Sequence, residues 1–150
     1  MRINEMVRKA HDNSKAKGWW DDFFPRFDDA GNRIADATEV DPEDLMPDTI
    51  AAKLCLVHSE VSEALEAVRD GELRLVFKTI DSDDERIFVN KTDEPYSPKS
   101  KPDGLPAELA DVVIRIGDLC GALGIDLEEA VQAKMTYNAT RPQRHGGKAL

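Results

Sequence analysis

Two stretches of the chain repeat apolar residues every three or four positions, and no other feature restricts the fold as much. In the first, Ile50, Leu54, Val57, Val61, Leu65 and Val68 recur between Asp48 and Gly71. In the second, Leu109, Val112, Val113, Ile116, Leu119, Cys120 and Leu123 follow Pro106 and end before Gly124. A period near 3.6 marks one apolar stripe on each of two helices, and such a stripe must be covered. Asp48 is placed to cap the first helix and Gly71 to stop it in a left-handed conformation. Pro106 suits the first turn of the other, where its missing N–H costs nothing.

Two weaker helices flank this pair. Ile3, Met6, Val7 and Ala10 fall at helical spacing in a segment that runs to about residue 17 and meets Gly18. After Gly124, Asp126 and Glu129 form a capping-box pattern, with Ile125 placed to staple a helix that reaches about Thr140. Residues 19–47 mix aromatics, Asp, Gly and Pro without sustained period and read as a long loop with at most a short turn of helix. Between the two strong helices, residues 72–104 form an insertion. Its first part, LRLVFKTIDSDDERIFVNKT, predicts a small β-hairpin about the acidic turn DSDDE, and the remainder, DEPYSPKSKPDGLP, a surface loop. The fold class is all-α, a bundle of four to five helices with a small β-hairpin inserted between helices two and three. At 150 residues the chain supports one core, so residues 1–150 are taken as a single domain.

Thirty acidic against twenty basic residues give a formal charge of −10. That charge repels phosphate backbones, so no polynucleotide partner is expected. A small phosphorylated ligand is still compatible, because a bound dication inverts the field around a carboxylate cluster. The two cysteines, Cys55 and Cys120, make no disulfide framework and are expected to be reduced, in the cytoplasm. No stretch has the length and apolarity of a leader or a membrane span, so no membrane partner is expected.

Glu60 and Glu63 stand three apart on one strong helix, and Glu108 and Asp111 three apart on the other. At roughly 100° per residue, each pair borders the apolar stripe of its helix. If the stripes pack together, the four carboxylates converge at the margin of the shared core. Four such charges repel unless protonated or neutralised by a cation. All-oxygen ligation favours Mg²⁺, with Mn²⁺ as a substitute, and no His or Cys stands at a spacing that selects zinc. His58, on the far side of its helix from the glutamates, reads as a packed histidine. The competing reading is a solvated acidic face, since 33% of the residues are charged.

Three blocks resemble the MazG-like nucleoside triphosphate pyrophosphohydrolases: KLCLVHSEVSEALEAVRDG, LPAELADVVIRIGDLCGALGIDLEEAVQAK and YNATRPQRHGGK. E-x-x-E followed by E-x-x-D is weak as a bare pattern and more specific inside H-S-E-V-S-E-A-L-E and E-L-A-D-V-V-I-R. The GWW at the end of helix one is similar to the corresponding segment of that family. The resemblance implies a MazG-like bundle that assembles as a homodimer or homotetramer. It also implies hydrolysis of a (deoxy)nucleoside triphosphate to the monophosphate and pyrophosphate. Carried over residue by residue, Glu60, Glu63, Glu108 and Asp111 are metal ligands. Lys134 and Asn138 match a K-x-x-x-N spacing that contacts phosphate or sugar, and Lys53, two turns before Glu60, can also reach a phosphate. The chain departs from the simplest members of the family in the length of the insertion, since positions 64–107 lie between Glu63 and Glu108.

In the expected reaction a metal orients water for in-line attack on the α-phosphorus, pyrophosphate leaves, and Glu60 or Glu63 takes the proton. Trp19 and Trp20 are candidates for stacking on the base, with packing as the competing role. Arg141, Arg144, His145 and Lys148 gather in a basic tail that either folds over a bound phosphate or frays. Four other readings compete. A di-iron bundle lacks its Glu-x-x-His motifs, and a calcium loop at DSDDER has Arg86 where glycine is required. A non-catalytic helical interaction protein, and a hydrolase of cyclic or diphosphate nucleotides using the same carboxylates, both stay open.

Overall fold

The computed structural model describes residues 1–21, 26–27, 33–34, 47–79, 86–87 and 100–142. Four helices account for most of these residues: α1 (Ile3–Ala16), α2 (Pro47–Arg69), α3 (Leu105–Ala122) and α4 (Leu127–Ala139). The fold is all-α with small antiparallel sheets. Strands β1 (Arg26–Phe27) and β2 (Arg33–Ile34) pair in what the sequence reads as a loop. Between α2 and α3 lie β3 (Val76–Thr79), β4 (Arg86–Ile87) and β5 (Ser100–Asp103), in the order β4-β3-β5. No helix among the described residues is long and apolar enough to cross a membrane.

The expected hairpin is the β3–β4 pair, with Phe77 opposite Ile87; its turn, residues 81–85, lies outside the described residues. The second half of the insertion departs from the surface-loop expectation, because SKPD pairs antiparallel with β3, Phe77 opposite Pro102. Pro102 cannot donate to a ladder, and β5 is an edge strand, where that costs least.

The helix boundaries follow local chemistry. The glycines expected to stop helices at 18, 71 and 124 all lie at positive φ. Asp126 caps α4 as expected, its carboxylate accepting from the Glu129 N–H at 2.9 Å. Asp48 is not a cap: α2 begins at Pro47, and Asp48 stands inside the first turn. Gly104 fixes the start of α3. Its φ is +86°, and a Cβ there would stand 2.4 Å from the backbone oxygen of Arg74. One residue on, the Leu105 N–H donates to the Glu72 carbonyl at 2.8 Å, tying the head of α3 to the chain just after α2. Gly104→Ala should therefore lower stability by at least about 2 kcal/mol, the left-handed penalty plus a backbone clash, as read by denaturant unfolding. A change within about 0.5 kcal/mol would show that this junction is not constrained.

The chain divides into two compact units, Met1–Leu45 with Gly117–Leu150, and Met46–Ile116. In the first, α1 packs on α4 and on the end of α3. Gly121 lets α1 approach closely, since a Cβ there would stand 2.5 Å from the Cβ of His11. Asn4 joins the N-termini of α1 and α4, its amide donating to Asp126 at 2.9 Å and its oxygen accepting from the Glu128 N–H at 3.1 Å. Asp118, buried on α3, accepts from His11 Nδ1 at 2.9 Å, Ser14 Oγ at 2.9 Å and Trp20 Nε1 at 2.8 Å.

In the second unit the buried face of α2 is not the stripe expected from the sequence. Thr49, Lys53, Glu60, Ala64 and Ala67 are buried, whereas Leu54, Val61, Leu65 and Val68 are exposed. Both sets have helical spacing, one residue out of phase. The buried set carries Thr49, Ala64 and Ala67 together with the charged Lys53 and Glu60, and the larger apolar residues are left exposed. The first half of α3 behaves likewise, with Leu109, Val113 and Ile114 exposed.

Candidate carboxylate site

The site is built from one turn of α2 and the first turn of α3. Residues three apart on a helix project from one side, so Glu60 and Glu63 share a side of α2. The Gly104–Leu105 junction sets Glu108 in the first turn of α3. One carboxylate oxygen from each of Glu60, Glu63 and Glu108 lies within 4.8 Å of the others. Glu60 is buried, Glu108 half-buried and Glu63 exposed. Asp111 stands one turn beyond Glu108 and outside this group of three.

The electrostatics reflect the crowding. Burial, and then the charges of Glu63, Asp111 and Glu60, hold the Glu108 carboxyl above its ordinary range. Asp111 is raised by burial and by Glu60, against the pull of Arg115 and Lys101. Lys101 on β5 also draws Glu108 down, so the strand that the sequence reads as a loop brings a positive charge to the site. Arg115, one turn beyond Asp111, donates from Nε to Glu60 Oε1. Oxygen donors alone, brought together from two helices, fit a hard dication.

An acid whose folded pKa exceeds its unfolded one binds more protons when folded, so its contribution favours folding at low pH and is lost as pH rises through the carboxylate range. Glu108→Gln should therefore slightly stabilise the metal-free chain at neutral pH and have no such effect in acid, as read by thermal melts across pH. A destabilised variant at neutral pH would mean that the cluster is not repulsive.

The other residues singled out from the sequence are placed as follows. Lys53 is buried, at 6% exposure, on the same face of α2 as Glu60. His58 is exposed, not packed. Cys55 is exposed and Cys120 buried, both free, and burial pushes the Cys120 thiol up. Trp19, Trp20, Lys134, Asn138 and Arg141 belong to the other compact unit. There the two tryptophans separate. Trp20 is 3% exposed, donates to Asp118 and meets the His11 ring edge-on, while Trp19 is 58% exposed. Lys134 and Asn138 are exposed one turn apart on α4, and Lys134 and Arg141 both lie over the Tyr137 ring, at 5.6 and 5.9 Å. Arg144, His145 and Lys148 lie outside the described residues.

Sequence reasoning missed Arg115 and Asp118. Arg115 follows Asp111 by four residues, the spacing of an ordinary surface ion pair. Asp118 carried the better signal, as a lone acid in the apolar run IRIGDLCGAL. Compared with protein-family models, curated proteins and solved structures, the chain matches none, and its site is read from its own geometry and chemistry.

Proposed function

We propose that this chain is a Mg²⁺-dependent nucleoside triphosphate pyrophosphohydrolase of the MazG-like kind, acting in the cytoplasm as a homo-oligomer. The observation that carries the reading is the convergence of Glu60, Glu63 and Glu108 from two helices onto a common point. The sequence blocks around those residues, similar to that family, support it. Glu60, Glu63 and Glu108 would hold the dication, with Asp111 beside them. When bound, it supplies charge neutralisation for phosphate oxygens and acidifies water.

The remaining work falls to the side chains of the chain itself. Glu60 is bound by Arg115 and buried, whereas Glu63 is exposed. Glu63 is therefore the group assigned to take the proton of the attacking water. In the other compact unit, Lys134 and Asn138 on α4 and Arg141 just beyond its end are exposed polar side chains of a kind suited to phosphate or sugar, and the exposed Trp19 is of a kind that stacks on a base. The exposed apolar residues of α2 and α3 support the homo-oligomer, because a patch of this kind on a monomer is costly in water.

The test is release of pyrophosphate from the common and modified nucleoside triphosphates in the presence of Mg²⁺ or Mn²⁺. Product analysis separates this reaction from hydrolysis of cyclic or diphosphate nucleotides, which releases none. The same apolar faces favour a second reading, a non-catalytic helical interaction protein. Calorimetric titration with Mg²⁺ and a non-hydrolysable triphosphate distinguishes the two, since the interaction protein takes up neither.

A further inference from the structure

We infer that Arg115 is a built-in counter-cation of the carboxylate site, holding Glu60 while no dication is bound and giving it up when one arrives. The inference rests on the metal-site reading of Glu60, Glu63 and Glu108 and adds a competitor for one of those ligands.

Glu60 is the deepest of the three carboxylates, with its side chain 6% exposed. A carboxylate that far from water needs a partner of opposite charge, and among the described residues it accepts from the Arg115 Nε–H. The two members of the pair are not equally fixed. Arg115 is 32% exposed, so its side chain has a route to water. Glu60 has no such route. Any exchange of partners at this carboxylate therefore moves the arginine.

The charges favour that exchange. Arg115 contributes one positive charge and also draws on Asp111, yet Glu63 and Glu108 remain crowded against Glu60. A dication brings twice the charge and binds several oxygens together, which a guanidinium held through Nε does not do. A second cation arriving at the same carboxylate is repelled by the first. A monovalent ion gains nothing over the guanidinium it displaces, so the arginine also biases the site toward divalent ions. It follows that the intrinsic affinity of the carboxylates exceeds the affinity that the intact protein displays.

The test is calorimetric titration of Mn²⁺ into the wild-type chain and into Arg115→Met at constant pH. The variant should bind about tenfold more tightly, equivalent to about 1.4 kcal/mol. Equal or weaker binding by the variant would overturn the inference and leave the metal site standing. Because Arg115→Met strands a buried carboxylate and can fail to fold, the wild-type protein is also read directly. In its ¹H–¹⁵N spectrum the Arg115 Nε–H should be protected from exchange without metal and become rapidly exchanging at saturating Mg²⁺. Persistent protection at saturation would again overturn the exchange. If neither cation gives heat or any spectral change in the wild type, the metal-site reading itself fails, and this inference fails with it.

Discussion

Glu63→Gln should reduce pyrophosphate release by about 10²–10⁴-fold, the span expected when a positioned general base is removed, while the fold is kept. The substitution preserves shape and one hydrogen-bonding oxygen but removes the capacity to take a proton. Glu63 is exposed, so no desolvated partner is left stranded, and the thermal melt of the variant should match the wild type. Separate measurement of kcat and KM checks the assignment. A large fall in kcat with an intact melt supports the proton-accepting role. A rise in KM alone would make Glu63 a binding residue, and near-normal turnover would remove it from the mechanism. Glu60→Gln gives the contrasting pattern: the Arg115 guanidinium loses its charged acceptor in a part-buried pair whose acidic side is enclosed, so stability should fall together with activity.

The second large effect is expected away from the carboxylate site, at Asp118. Asp118→Ala should destabilise the chain by about 2–4 kcal/mol, because the indole N–H of Trp20 loses its acceptor where water cannot replace it. Ser14 and His11 lose theirs as well. Asp118→Asn, which keeps one acceptor oxygen, should cost less. Denaturant unfolding measures both, and Trp20 fluorescence follows the same pocket. If Asp118→Ala stays within about 0.5 kcal/mol of the wild type, the three donors are satisfied in some other way and the end of α1 does not depend on this acid.

Glu63 and Asp118 differ in how far the sequence reveals them. Glu63 stands out by a spacing and a family resemblance, and one of its carboxylate oxygens lies near those of Glu60 and Glu108, without Asp111 and without the packed stripes on which the spacing argument relied. Asp118 was not singled out at all. Its place as the lone acid of IRIGDLCGAL marks it as unusual but does not reveal a triple acceptor, because His11, Ser14 and Trp20 are remote in sequence. Arg115 escaped notice for a related reason: its local partner by spacing is Asp111, while its hydrogen bond goes to Glu60 on another helix.

What the sequence determined by itself is the set of helices and the side of each from which the acids project. Period, proline and glycine punctuation, and the Asp126 cap act over a few residues, and they give α1, α2, α3 and α4 nearly as they stand. The β3–β4 hairpin was legible for the same reason, while β5 was not, since a strand containing Pro102 exists only through its pairing with β3. The tertiary structure decided which of two helical faces on α2 is buried, the one carrying Lys53, Glu60 and Ala64 and not the apolar one carrying Leu54 and Leu65. It also decided which tryptophan is enclosed and which glutamate is held by an arginine. Spacing fixes the angle between residues around one helix, but burial and charge depend on what another segment brings to that angle. That segment is far away along the chain.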